Sequence, residues 1–294
     1  MKIVLTGSLG NVSRPLAETL ITQGHSVTVI SSNANKQNDI VALGATAAIG
    51  RLQDVDFLTT AFTGADAVYC MVPPNYAEPD QLAYYRGVGQ VYVQAIQRAG
   101  VKRVVDLSSY GAHLERGTGL IVGCYHIEQM LNALSGIAVT HMRPGFFYYN
   151  LYAFIPMIKQ AGFLAANYGG SDRLVMVSPM DIATAVAEEL VRVAVGVTIR
   201  YVASDERSAS DVARILGDAI GKPALEWKTI TNEEMLNRAV SRGMSPTFAA
   251  AYVELSGAIH TGALTEDYDL NKPVPGKVKI EAFARDFAAA FNRN

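Results

Sequence analysis

The chain has 294 residues, half of them hydrophobic and 18% charged, with a formal net charge of −2. That composition fits a soluble globular protein with a large core and excludes a disordered chain. Charges of both signs are interspersed, and the densest basic spot is the pair Lys102-Arg103, so neither nucleic-acid binding nor a polybasic membrane anchor is expected.

The first half alternates strand and helix signals. Ile3-Val4-Leu5 is a short apolar run ended by Gly7, which predicts a buried strand. Val12, Leu16 and Leu20 fall on one helix face, closed by Gln23-Gly24-His25. Strands are predicted at Val27–Ile30, Thr46–Ile49, Ala67–Val72, Val104–Leu107 and Ile137–Met142. Helices are predicted between them at Asn38–Leu43, Asp54–Phe62, about Pro79–Ala99 and Leu120–Leu134. The stripe Leu82, Tyr85, Val88, Tyr92 and Ile96 on the longest helix is a core face and leaves a homodimer open.

Strands alternating with helices of this length predict an α/β fold, a Rossmann-type parallel sheet with helices on both faces. After Gly145 the rhythm changes. An aromatic run, Phe146 to Tyr149, is followed by helices at Pro179–Val193, Ser208–Ala219 and Val278–Phe291 and strands at Thr198–Val202 and Leu225–Ile230. We expect a dinucleotide-binding domain over 1–155 with a returning segment at about 171–205. A smaller C-terminal α/β lobe is expected over 206–294 with about 156–170, and it would bind substrate.

Thr6-Gly7-Ser8-Leu9-Gly10-Asn11-Val12-Ser13 follows the first strand and opens a helix. Glycine lets the backbone turn sharply toward a pyrophosphate, and the helix N-terminus offers free N–H groups to it. The spacing is G-x-x-G-x-x-S, with Ser13 where a third glycine would allow close helix–strand packing. The end of the second strand selects the cofactor. An acid there binds the ribose 2′-hydroxyl of NAD, whereas neutral or basic donors accommodate the 2′-phosphate of NADP. Here the run is Ser31-Ser32-Asn33-Ala34-Asn35-Lys36, with no acid before Asp39, which reads as a surface residue. NADP(H) is therefore the expected cofactor, with NAD(H) the alternative.

Four stretches together resemble the NmrA-like branch of the atypical short-chain dehydrogenase/reductase superfamily, and within it NADPH quinone reductases. They are Thr6 to Val12, Met71-Val72-Pro73-Pro74, Leu107 to His113 and Arg143-Pro144-Gly145-Phe146-Phe147. The resemblance implies a Rossmann domain with a small C-terminal lobe and substrate in the cleft between them. By position it implies that Gly7, Ser8, Leu9, Gly10, Asn11 and Val12 hold the pyrophosphate. Ser31, Ser32, Asn33 and Lys36 would face the 2′-phosphate end, although quinone-reductase relatives often carry an arginine in place of Ser32. Met71, Val72 and Pro73 would pass under the adenosine ribose. Ser108, Ser109 and Tyr110, with Pro144, Gly145 and Phe146, would flank the nicotinamide.

Standard short-chain dehydrogenases pass a proton through a Tyr-x-x-x-Lys pair, whose lysine lowers the tyrosine pKa. Aligning Glu128 with a common helix acid puts Leu120 and Cys124 at those two positions, and the nearby Tyr125 is followed at four residues by Gln129. The relay is thus expected to be absent. Tyr110, His113, Tyr125 and His126 are the candidate proton donors, His113 first because it follows the fifth-strand loop. Phe147, Tyr148 and Asn150 are candidate substrate contacts, Asn150 also being suited to cap the next helix.

Cys70 and Cys124 are too few for a disulfide framework and lack a metal-ligand spacing, so buried thiols and no metal are expected. No apolar run of roughly 18 residues and no secretory leader is seen, which gives a cytoplasmic expectation without a membrane partner. The leading functional expectation is an NADPH-dependent reductase of a small apolar acceptor such as a quinone. An imine or azo compound is a second acceptor class. A non-catalytic NAD(P)-sensing regulatory protein is the alternative from another class, kept open by the missing relay.

Overall fold

A computed structural model of the chain describes residues 1–75 and 78–293. The first half gives β1 (Lys2–Leu5), α1 (Ser13–Thr22), β2 (Ser26–Ser31), α2 (Gln37–Ala42), β3 (Thr46–Ile49) and α3 (Val55–Phe62). Then follow β4 (Ala67–Cys70), α4 (Gln81–Ala99), β5 (Arg103–Leu107), α5 (Val122–Asn132), β6 (Ala138–Pro144) and β7 (Phe146–Phe147). The second half gives α6 (Ile155–Ala161), β8 (Leu164–Ala166), β9 (Arg173–Val177), α7 (Pro179–Val191), β10 (Val197–Val202) and β11 (Asp205–Ser208). It ends with α8 (Ala209–Ala219), β12 (Trp227–Thr229), α9 (Asn232–Ser241), α10 (Pro246–His260), α11 (Glu266–Leu270) and α12 (Ile280–Phe291).

The main sheet has seven strands in the order β10-β6-β5-β4-β1-β2-β3, and the neighbours among β1 to β6 pair in parallel. Strand order reverses between β1 and β4, and in open parallel sheets ligands bind outside the carboxyl ends of the strands at such a switch point. Strands buried on both faces explain the unbroken apolar runs of the sequence: Ala67 to Cys70 is fully buried. α4 buries Val88, Tyr92 and Ile96 of the predicted stripe, together with Ala95, against a core that includes Val68, Val104, Ile127 and Leu131, while Leu82 and Tyr85 of the stripe are part-buried. Asp80 caps this helix by accepting from the Ala83 N–H, and Gly100 ends it in the left-handed conformation.

The chain divides into two compact units: residues 1–109, 123–143 and 182–200, and residues 110–122, 144–181 and 201–294. The sequence boundary at residue 155 differs from this division, because 144–155 packs with the second unit. The reason lies in β7, whose Phe146 and Phe147 pair with Met176 and Val177 of β9 instead of extending the main sheet. β9 also pairs antiparallel with β11, and β8 pairs with β12 in a two-stranded ribbon. The core of this unit joins Tyr148, Leu151, Phe154, Leu216, Trp227, Phe283 and Phe287. Trp227 donates its indole N–H to the Tyr168 carbonyl at 2.9 Å, and Tyr252 packs against the same core.

Candidate functional site

The turn after β1 is built around Gly7. Its φ is +89°, and a Cβ there would lie 2.6 Å from Ser13 Oγ and 2.9 Å from Met71 Sδ. Ser13 and the Met71 backbone are tied in place. Ser13 Oγ donates to the Thr6 carbonyl at 3.0 Å, and the Met71 N–H donates to Thr6 Oγ1 at 2.8 Å. The Tyr92 hydroxyl donates to the Met71 carbonyl at 2.6 Å. Ser13 therefore does not merely replace a small residue; its hydroxyl ties α1 to the end of β1. The N-cap of α1, Val12, provides no side-chain cap. Among the described residues, no protein group accepts from the N–H groups of Leu9, Asn11 and Val12. An open helix N-terminus beside a turn with no Cβ is suited to an anion.

Ser8 continues the turn in the left-handed region, at φ 55°. Its N–H donates to the Ile30 carbonyl at 3.0 Å and its hydroxyl to Ser31 Oγ at 2.9 Å, which locks the loop to the end of β2. The neighbouring strand is held likewise, since the Gly50 N–H donates to the Ser31 carbonyl at 3.0 Å. Gly50 is required there because a Cβ would stand 2.6 Å from the Phe57 ring.

These ends enclose a cavity of about 540 Å³ lined by Gly7, Ser8, Ile30, Ser31, Ser32, Gly50, Arg51, Leu52, Gln53, Pro73, Pro74, Asn75 and Tyr84. That volume is in the range of small-molecule and cofactor sites. Tyr84 closes one side, donating to the Pro73 carbonyl at 3.2 Å, and burial raises its pKa so that the phenol stays protonated.

Of the residues expected at a cofactor, the cavity gathers Gly7, Ser8, Ser31, Ser32 and Pro73. Leu9, Gly10, Asn11 and Val12 follow on the loop into α1 and lie outside its lining, as do Met71 and buried Val72 beneath the turn. Asn33 and Lys36 are outside it too. The Asn33 side chain accepts from the Asn35 N–H at 3.0 Å, and Lys36 Nζ is 3.1 Å from the Asp39 carboxylate, both side chains being exposed. Arg51, Gln53, Asn75 and Tyr84 were not anticipated. Arg51 was detectable as a basic residue directly after the third strand.

Ser108 is buried and donates to Glu128 at 2.5 Å; Glu128 in turn takes a two-point hydrogen bond from Arg143, at 2.9 and 2.6 Å. Ser109 is part-buried beside it. In the second unit the Tyr110 N–H donates to the Pro144 carbonyl at 3.0 Å, and the Gly145 N–H donates to Val202 at 3.1 Å. Gly145 abuts the Val175 carbonyl too closely for any side chain. Phe146 is part-buried on β7.

Tyr110 is 5% exposed, and burial drives its phenol pKa far up, which makes it a poor proton donor. His113 is part-buried in the same loop. Tyr125 is part-buried on α5 with its ring 5.5 Å from that of His126, and His126 is 2.7 Å from Arg86. Cys124, on the same helix, is a partly buried thiol whose pKa burial raises strongly, and Cys70 is fully buried.

Tyr148 requires a correction. It is 1% exposed, stacks on Phe283 at 5.3 Å and donates to the Val278 carbonyl at 3.1 Å, so it is core and does not face a substrate. Replacing it with phenylalanine is expected to cost about 1 kcal/mol in urea unfolding, the worth of one neutral hydrogen bond. Phe147 is part-buried against Tyr149, at 5.2 Å, and Asn150 is exposed. Asn150 sits inside a 3-10 helix whose N-cap is Phe147, so it caps nothing.

Among the described residues no group of three His, Cys, Asp or Glu side chains could hold a metal, and no helix is long and apolar enough to cross a membrane.

Comparison with known proteins fits this geometry. An NAD(P)H azoreductase of Xenophilus azovorans is 25% identical over 292 residues, covering 98% of this chain and 99% of the azoreductase. The fold is shared with an NADPH-dependent quinone oxidoreductase of Escherichia coli solved with NADPH, at a TM-score of 0.81, 22% identity and coverage of 99% and 100%. It is shared also with the Citrobacter triphenylmethane reductase solved with NADP(H), at a TM-score of 0.80, 20% identity and coverage of 98% and 100%. The model of the NmrA-like family matches residues 1–261, and the chain belongs to that family.

Proposed function

We propose that the chain is an NADPH-dependent reductase of a small, flat, apolar acceptor, a quinone first, working without a Tyr/Lys proton relay. The observation that carries this is the cavity over the ends of β1 to β4, with its side-chain-free turn at Gly7 and uncapped α1. The residues fit a dinucleotide: Gly7 and the N–H groups of Leu9, Asn11 and Val12 suit the pyrophosphate, and Ser31 and Ser32 the adenosine ribose. A bound reduced nicotinamide supplies a hydride; the protein positions and shields the reactants. Full-length similarity to a protein named as an azoreductase supports catalysis over sensing and gives azo compounds as the second acceptor class.

Reducing a quinone by two electrons leaves a hydroquinone anion, a far weaker base than the alkoxide of a carbonyl reduction. Water can protonate it, so the absence of a lysine near Tyr125 is tolerable. Phe147 and Asn150 are the residues we assign to contact the acceptor. The test is fluorescence titration with NADPH and NADH, then loss of the reduced-nicotinamide absorbance with panels of quinones and azo dyes. Acceptor-dependent loss supports the proposal. Tight binding without turnover on either panel would revive the sensor, and no binding of either nucleotide would sink the site.

A dedicated donor contributes about 100-fold or more. His113→Gln and Tyr125→Phe are therefore each expected to lower kcat less than about threefold, and a 100-fold fall in either would identify a donor that this scheme lacks.

A further inference from the structure

We propose that Arg51, on the loop after β3, holds the 2′-phosphate of NADP(H) and sets the preference for it over NAD(H). The proposal rests on the dinucleotide site assigned above and names the residue that selects its ligand. Ser31 pairs with Ile49, and the Gly50 N–H donates to Ser31, so Arg51 leaves its strand beside Ser32. Adjacent strands are about 4.8 Å apart, which brings a long guanidinium side chain within easy reach of whatever sits at the end of β2. That end is where the adenosine ribose lies in this class of sheet.

Charge points the same way. Arg51 lines the cavity and is exposed, and among the described residues its guanidinium has no hydrogen-bond or ion-pair partner. Among the described residues no carboxylate lines the cavity, so none there would accept from a ribose 2′-hydroxyl as an acid does in NAD sites. Exposed Ser32 adds a hydroxyl beside it, while the buried Ser31 hydroxyl is taken up by Ser8 and Asn33. Lys36, the cation expected from sequence, is outside the lining and lies 3.1 Å from Asp39. An anion approaching Lys36 meets the Asp39 carboxylate as well, and the two charges largely cancel. A guanidinium fork is also better matched to phosphate oxygens than an ammonium.

The test titrates wild type, Arg51→Gln, Arg51→Lys and Lys36→Gln with NADPH and NADH at fixed ionic strength. Charge-assisted hydrogen bonds of this kind correspond to about tenfold or more in affinity. Arg51→Gln is expected to weaken NADPH by at least about tenfold while leaving NADH within about twofold, and Arg51→Lys to retain part of the preference. Retained NADH binding shows that the variant is folded. Lys36→Gln should cost NADPH less than about threefold, as exposed paired charges contribute little. A wild type that binds both nucleotides equally, or an Arg51→Gln variant that keeps the full preference, overturns the role of Arg51 and leaves the cavity assignment standing. A preference lost in Lys36→Gln instead transfers the role to Lys36. A wild type that binds neither nucleotide ends both proposals together.

Discussion

Replacing Gly7 with alanine should abolish dinucleotide binding and destabilise the fold, whereas valine at Gly10 should abolish binding and leave the fold intact. At Gly7 two penalties act. The positive φ of +89° is strained for any residue with a Cβ, costing about 1–2 kcal/mol. The added carbon would also stand 2.6 Å from Ser13 Oγ and 2.9 Å from Met71 Sδ. Ser13 cannot retreat cheaply, because its buried hydroxyl bonds the Thr6 carbonyl, whereas the Met71 thioether is the end of a flexible side chain and can swing aside. Overpacking of this kind adds about 1–3 kcal/mol. The turn would shift, moving the N–H groups of α1 away from the phosphates. We expect at least about a 100-fold rise in the NADPH Kd, near 2.7 kcal/mol, and a Tm lowered by several degrees.

Gly10 is different. It is exposed, its φ is not positive, and a Cβ would approach only the Gly7 carbonyl, at 3.1 Å. A valine there asks the Gly7 carbonyl to give by a few tenths of an ångström, a small cost to the fold, but stands where the pyrophosphate must approach the loop. Titration and a thermal melt on both variants separate fold from binding. Unchanged NADPH affinity in Gly10→Val would show that the turn does not hold phosphate.

How much of this was legible in the sequence depends on how local the signal is. The β1 turn could be read because its strand, glycines and helix are contiguous, and the parallel sheet follows from the alternation of strands with helices. Arg51 was missed because it lies twenty positions from Ser31 and becomes its neighbour only through the β2–β3 register. Lys36 looked like the phosphate ligand because adjacency in sequence cannot show that Asp39, three residues on, has already paired with it. In the second unit Phe146, Phe147 and Tyr149 of the aromatic run are part-buried, and only packing on Phe283 decides that Tyr148 is core. β8 and β9 escaped notice because such short strands gain their stability from partners far along the chain, such as β12 and β11.

Removing one member of the Glu128–Arg143 pair should be the most damaging change to stability in the first unit. The side chains are 2% and 4% exposed and joined by two hydrogen bonds, with Ser108 donating to the same carboxylate. Glu128→Leu leaves a buried guanidinium without its carboxylate, and Arg143→Met leaves a buried carboxylate without its guanidinium. Either costs about 3–5 kcal/mol, because desolvation of the survivor is no longer offset. Glu128→Leu combined with Arg143→Met removes both charges and should recover most of the loss, giving a coupling energy above about 2 kcal/mol in a urea double-mutant cycle. Additive single effects would mean that the pair is solvated in solution and contributes little. The pair bears on chemistry as well. Its Glu128 lies one helical turn beyond Cys124, where a relay lysine would stand, and the two charges are committed to each other. If the double variant regains stability and still turns over an acceptor with a similar kcat, the pair of Glu128 on α5 and Arg143 on β6 serves the fold, and the reaction takes its proton from elsewhere.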